Sequence, residues 1–84
     1  MSVEILKFSA EWCMPCKQLA TTFEQAKLEI PVKDINIDVD AEMVSKFNIR
    51  GVPTLVLMQN EQEVARTSGY KNVSQLKAFI DANI

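Results

Sequence analysis

The sequence predicts an α/β fold whose elements follow the order βαβαββα. Short apolar runs of strand length alternate with stretches in which apolar residues recur at helical spacing, and two strand-like runs late in the chain are separated by only three residues. A β-α-β unit gives two parallel strands with a right-handed crossover, and the closely spaced runs add an antiparallel hairpin. We therefore expect a single domain, residues 1–84, with a four-stranded mixed sheet ordered 2-1-3-4 and flanked by three helices on its two faces.

The first half of the chain accounts for two strands and two helices. Residues 3–9 form an apolar run long enough for one strand, and helical spacing of apolar residues then continues to Ile30. Pro31 is expected to end this first helix, and the alternating residues 32–37 form the second strand. Asp40 is expected to cap a short second helix. The inner face of that helix would carry Met43, Val44 and Phe47.

The second half begins with a continuous apolar run, residues 54–59, which suits a strand buried on both faces. Asn60 and Glu61 are expected to form a two-residue hairpin turn, although Glu61 stands where such turns prefer glycine. The next strand covers residues 63–67, and Gly69 ends it.

The last helix is predicted from its start signal. Asn72 is followed three residues later by Gln75, which is the spacing of a capping box. The helix residues expected to face inward are Val73, Leu76, Phe79 and Ile80.

The two cysteines, Cys13 and Cys16, are the most informative residues for function. They lie where a strand pattern gives way to a helix pattern, so Cys13 is expected at or just before a helix N-terminus. Unpaired N–H groups and the positive end of the helix dipole stabilise a thiolate over a thiol at that position, and the thiolate is the nucleophilic form. Cys16, one turn further on, is close enough to attack a mixed disulfide formed at Cys13 or to close a disulfide with it.

Composition excludes several other classes of function. With 84 residues, 48% of them hydrophobic and 24% charged, the chain can form a core without disulfides, and two cysteines are too few for a secreted disulfide framework. The N-terminus lacks the features of a signal peptide, so we expect a cytoplasmic location. A net charge of -2 without a basic cluster argues against nucleic acid, and no apolar run approaches the roughly 20 residues of a membrane span.

Three motifs resemble the thioredoxin family: Ala-Glu-Trp-Cys-Met-Pro-Cys-Lys at residues 10–17, Arg-Gly-Val-Pro-Thr-Leu at residues 50–55, and residues 75–83 of the last helix. The resemblance covers nearly the whole chain but includes no counterpart of the family's opening strand and helix. It implies a minimal thioredoxin-like fold of glutaredoxin size. It also implies a protein dithiol-disulfide oxidoreductase that needs no cofactor or metal and acts as a monomer on client proteins. Its reductant would be a thioredoxin reductase-type enzyme or glutathione.

The resemblance further implies roles for individual residues. Cys13 would be the nucleophile and Cys16 the resolving thiol. In the family, the proline at the position of Pro53 is cis and faces the cysteines, and the backbone before it pairs with an extended substrate segment. The residues expected to bind substrate are Trp12, Met14, Pro15, Val52, Pro53 and Gly69.

One pair of residues departs from the family pattern. The family's acidic residue six positions before the first cysteine, and a lysine on the neighbouring strand, are replaced here by Lys7 and Asp34. We expect these two to pair behind Cys16, with opposite charges to the family's pair, and to assist proton movement there. The alternative is that Lys7 is an ordinary strand residue with a buried stem and an amine that reaches the surface. Burial favours a neutral amine and a carboxylate favours the ammonium form, so both interpretations stay open.

Two other functions fit the cysteines less well. A glutaredoxin-like enzyme that uses glutathione would need a charged or threonine-rich site, which residues 51–53 and 68–71 match poorly. A metal-binding module would need ligands beyond two cysteines, because zinc takes four and the chain has no histidine.

Overall fold

The computed structural model describes residues 2–84 and has the predicted order of elements. The strands are β1 (Val3–Ser9), β2 (Val32–Asn36), β3 (Thr54–Gln59) and β4 (Gln62–Ser68), and the helices are α1 (Met14–Ala26), α2 (Ala41–Lys46) and α3 (Val73–Asp81). The strand order is β2-β1-β3-β4, with β1 and β2 parallel and the other pairs antiparallel. The predicted fold class and strand order are confirmed. None of the helices in residues 2–84 has the length and apolar character needed to cross a membrane.

The central strands β1 and β3 divide the core into two layers, because successive side chains of a strand point to opposite faces. Helices α1 and α3 cover one face and α2 covers the other. The first layer contains Ile5, Leu55 and Leu57 of the sheet with Leu19, Ala26, Leu76 and Ile80 of the helices. The second contains Leu6, Phe8, Ile35, Val56 and Met58, against which Met43 and Phe47 pack. With helices on both sides, β3 is buried along most of its length, and this explains its continuous apolar run.

The predicted caps of α2 and α3 are confirmed. The Asp40 carboxylate accepts a hydrogen bond from the Met43 N–H at 3.1 Å. Asn72 and Gln75 form both bonds of a capping box at the start of α3, at 2.8 and 2.9 Å. Each cap satisfies backbone donors that the helix itself leaves unpaired. Because each cap joins residues only three positions apart, both caps could be predicted from the sequence.

The prediction that α1 continues to Pro31 is wrong. The helix ends at Ala26, and Lys27 follows in the left-handed conformation with φ 49°. Leu28 and Ile30 then pack against the α1 and α3 layer from a non-helical segment. The chain leaves the helix early because these apolar residues must reach the core while the Pro31 carbonyl meets β1, where it accepts a hydrogen bond from the Ile5 N–H at 2.9 Å.

A bulge in β4 brings Glu63 and Arg66 to the same face of the sheet. The pairing of β3 with β4 leaves Val64 as an extra residue, so two side chains that a regular strand would point to opposite faces share the α2 side. The Arg66 guanidinium donates two hydrogen bonds to the Glu63 carboxylate, at 2.6 and 2.7 Å, and one to the Phe47 carbonyl at 3.0 Å. The hydrogen bonding from Arg66 holds the pKa of the Glu63 carboxyl below its ordinary range.

The β3–β4 hairpin offers a test of the turn. Asn60 and Glu61 have φ values of 53° and 68°, as in a type I′ turn, and such values cost a residue other than glycine about 1–2 kcal/mol. We expect Glu61→Gly to raise the free energy of unfolding by about 1 kcal/mol, measured by urea denaturation of the oxidised protein. Gln62→Gly, one residue later in β4, should destabilise the protein instead. Equal destabilisation by both changes would contradict this account of the turn.

Candidate active site

Cys13 and Cys16 lie at the start of α1 and form a disulfide, with their Cα atoms 5.2 Å apart. Cys13 is the N-cap residue and has an extended backbone, and Pro15 occupies the first turn, where a missing N–H costs nothing. The Cys13 Sγ accepts a hydrogen bond from the Cys16 N–H at 3.2 Å. This is the bond that the oxygen of a serine or aspartate makes in an ordinary N-cap, so the sulfur itself caps the helix.

The capping position favours negative charge on the Cys13 sulfur when the disulfide is reduced. A backbone N–H points at the sulfur, and the positive end of the α1 dipole adds to its effect. The first turn of α1 contains no acidic residue that would oppose it. The sequence-based expectation that Cys13 lies at a helix N-terminus is confirmed.

Accessible surface does not distinguish the two cysteines in this oxidised form, since each is 5% exposed. Both pack with Ala10, and Ile37 and Val52 border the same cluster. The cysteines differ in position instead, because Cys13 caps the helix from outside and Cys16 lies within its first turn. Across residues 2–84, no group of three or more His, Cys, Asp or Glu side chains is placed to hold a metal ion.

The loop before β3 lies beside the cysteines. The Val52-Pro53 peptide bond is cis, and the Val52 side chain packs against the cysteine cluster. The Pro53 carbonyl accepts a hydrogen bond from the Gly69 N–H at 3.0 Å, and Gly69 has a φ of 86° that favours glycine. Within the described residues, neither the N–H nor the carbonyl of Val52 forms a hydrogen bond. The loop is therefore held by the packing of Val52 against the cysteines and by the hydrogen bond from Gly69 to Pro53. The backbone N–H and carbonyl of Val52 remain free to bind another chain.

Trp12 and Met14 flank Cys13 and are 67% and 62% exposed, as expected for residues that contact another molecule. The Trp12 indole N–H donates a hydrogen bond to the Asp38 carboxylate at 2.9 Å. Asp38 is not among the site residues expected from the sequence. One signal was available: Asp38 closely follows β2, and the parallel strands β1 and β2 end at the same edge of the sheet.

Lys7 and Asp34 are direct partners on β1 and β2, and their side chains form an ion pair with Nζ and Oδ1 2.9 Å apart. The expected pairing is confirmed. Only one of the two partners is largely buried, since the Lys7 side chain is 12% exposed and the Asp34 side chain 69%. The Lys7 Nζ also lies 4.8 Å from the centroid of the Phe23 ring. Phe23 is seven residues after Cys16, roughly 10 Å further along α1, so the amine points away from the cysteines.

An open cavity of about 630 Å³ lies between this ion pair and Cys16. Lys7 and Asp34 line one part of it and Cys16 lines another. The structure therefore places the pair and Cys16 around one shared space rather than in contact.

The fold and the cysteine site agree with comparisons to known proteins. A family model described as thioredoxin matches residues 2–82. The chain belongs to the thioredoxin family. It is 36% identical to thioredoxin from Pseudomonas aeruginosa, over 95% of this chain and 78% of that protein. It is 41% identical to thioredoxin C-3 from Corynebacterium nephridii, over 89% of this chain and 54% of that protein.

Solved structures give the same result. A single-residue mutant of thioredoxin from Halobacterium salinarum superimposes with a TM-score of 0.88 at 31% identity, covering 98% of this chain and 74% of that chain. Thioredoxins are thiol-disulfide oxidoreductases, and Cys13 and Cys16 are the redox-active pair of this one. The protein is a dithiol-disulfide oxidoreductase that reduces protein disulfides, and the family match gives no support to a glutathione-dependent glutaredoxin.

The bond between Trp12 and Asp38 can be tested by fluorescence, because Trp12 is the only tryptophan of the sequence. We expect Asp38→Ala to lower the fluorescence anisotropy of the indole, since an exposed ring without its hydrogen-bond partner rotates more freely. Asp81→Ala, at the end of α3, serves as the control and should leave the anisotropy unchanged. If both variants match the wild type, the hydrogen bond does not restrain the ring.

Proposed function

We propose that Cys13 is the nucleophile and Cys16 the resolving thiol when this chain reduces a client protein. The observation that supports these roles is the N-cap position of Cys13, whose sulfur receives the Cys16 N–H. This arrangement lowers the energy of the Cys13 thiolate selectively, because a residue inside the first turn does not cap the helix.

The reaction has two exchange steps. The Cys13 thiolate attacks one sulfur of the client disulfide, so that the client S–S bond breaks and one client thiolate leaves while a mixed disulfide forms. Cys16 then loses its proton and attacks the Cys13 sulfur, which releases the second client thiolate and closes the disulfide between Cys13 and Cys16. Two electrons pass from the dithiol to the client, and each client thiolate takes up a proton.

We propose that the client binds as an extended segment along the Val52 backbone. Two observations support this site: the open N–H and carbonyl of Val52 can pair with another chain, and the exposed apolar side chains of Trp12 and Met14 flank Cys13. Main-chain pairing gives affinity without demanding a particular client sequence. The proposed substrate-binding residues are Trp12, Met14, Pro15, Val52, Pro53 and Gly69.

Membership of the family implies disulfide substrates and a reductant. We propose that a thioredoxin reductase-type enzyme reduces this chain, with glutathione as the second candidate. We also propose that the chain acts as a monomer, because one copy supplies the cysteines, the Val52 loop and the exposed Trp12. The cytoplasm suits this activity since it keeps thiols reduced. Turnover with NADPH and a thioredoxin reductase, compared with glutathione and glutathione reductase, identifies the reductant.

The roles of the cysteines predict which variant traps an intermediate. Cys16→Ser should accumulate a mixed disulfide with insulin, because Cys13 can attack but no second thiol resolves the product. Cys13→Ser should trap none. The amount of mixed disulfide in each variant can be measured by mass spectrometry of samples kept free of reductant. Faster alkylation of Cys16 than of Cys13 in the reduced wild type near neutral pH would reverse the assignment.

We propose that Lys7 and Asp34 assist proton release from Cys16 through the cavity that all three residues line. The support is geometric: the ion pair is formed, the Lys7 side chain is largely removed from solvent, and Cys16 lines the same cavity. Because the amine points toward Phe23, the pair acts on Cys16 across this space and not by direct hydrogen bonding.

Lys7→Met should therefore slow release of the reduced client much more than the initial attack, and should shift the pH dependence of turnover. The exchanged variant Lys7→Asp with Asp34→Lys should recover more activity than either single change. Lys33→Met on the same strand as Asp34 is the matched control, since Lys33 does not line the cavity, and its turnover should match the wild type. Additive losses in the double-mutant cycle would favour the alternative, in which Lys7 is an ordinary strand residue with a buried stem and an amine that reaches the surface.

A further inference from the structure

A second cleft, of about 550 Å³, lies next to the Val52-Pro53 loop at the same end of the sheet. The chain segment before Val52 forms one wall and the end of β4 forms the other. The residues that line the cleft include Arg50, Gly51, Thr54, Arg66, Thr67 and Ser68. Gly51 adjoins Val52 and Ser68 adjoins Gly69, so the cleft continues directly from the surface proposed to bind the client.

The cleft carries positive charge that the protein itself does not neutralise. None of its lining residues is acidic. The Arg66 guanidinium is already bound to Glu63 and to the Phe47 carbonyl. Arg50 is exposed and forms no hydrogen bond or ion pair with the rest of residues 2–84. Its five N–H donors are therefore available to a group from outside.

Gly51, next to Arg50 in the chain, lines the same cleft without a side chain. A Cβ atom added at this position would meet no atom within 4 Å, so packing does not require a glycine. The φ of Gly51 lies outside the left-handed region, so backbone conformation does not require a glycine here either; among the described glycines, only Gly69 has a left-handed φ. The missing side chain instead leaves room for another chain to approach Arg50.

We propose that Arg50 binds a carboxylate side chain of the client segment, close to the client disulfide, and so favours clients with acidic residues at that point. The guanidinium fork matches a carboxylate through two parallel hydrogen bonds. Ser68, which shares a face of β4 with Arg66, borders the same cleft. This inference rests on the proposed binding of the client along Val52, because only a segment held there brings its neighbouring residues to the cleft.

The test uses two disulfide-bonded peptides that differ only at the residues flanking one cysteine, which are glutamate in the first and glutamine in the second. For an exposed pair we expect wild type to show a kcat/KM about threefold higher for the glutamate peptide at low ionic strength. Arg50→Gln should bring this ratio close to one, and Arg50→Lys should retain part of it. Lys77→Gln removes the same charge from α3, outside the cleft, and should keep the full ratio. About 1 M salt should abolish the preference in all variants.

The remaining outcomes separate the two proposals. A wild type that reduces both peptides without preference, or an Arg50→Gln variant with an unchanged ratio, overturns the role of Arg50 alone. An equal loss on both peptides in Arg50→Gln would mean that Arg50 supports the loop, which also overturns it. A wild type that reduces neither peptide, although its cysteines cycle between dithiol and disulfide, overturns the proposed mode of client binding and this inference with it.

Discussion

The connection from β1 to α1 is the constraint on which the geometry of the site depends. Residues 10–13 must turn the chain from a central strand into a helix, and the Cys13 N–H closes this turn on the Ala10 carbonyl at 3.2 Å. Cys13 then caps the helix with its sulfur. The same atom therefore satisfies a helix terminus and carries the chemistry, so the stability of α1 and the reactivity of the thiolate have a common origin.

Sheet topology brings the other parts of the site to this point. At one edge of the sheet, Ser9 pairs with Asn36, and Thr54 lies between Phe8 and Ser68. The end of β1, the end of β2, the start of β3 and the end of β4 consequently meet there. Because β3 runs antiparallel to β1, the loop that precedes β3 lies beside the cysteines that follow β1. Two central strands covered on both faces hold these ends in place.

In the ion pair between Lys7 and Asp34, strand register determines which residues pair, and packing against α1 determines where the Lys7 amine points. Their positions on adjacent parallel strands made the pairing predictable, because alternating side chains at matched positions share a face. Where the amine then points depends on α1, whose Phe23 ring attracts the ammonium group. An ion pair with one exposed partner adds little to stability, so its interest lies in the cavity that it shares with Cys16.

Local sequence was enough to predict the element order, the caps at Asp40 and Asn72, the hairpin turn and the position of Cys13 at a helix N-terminus. Each depends on residues within a few positions of one another, so periodicity and capping chemistry suffice. The end of α1, the bulge at Val64, the bond from Trp12 to Asp38 and the cleft beside Arg50 depend instead on the packed fold. These features arise where distant segments compete for the same core or meet at one edge of the sheet, and no local pattern encodes that outcome.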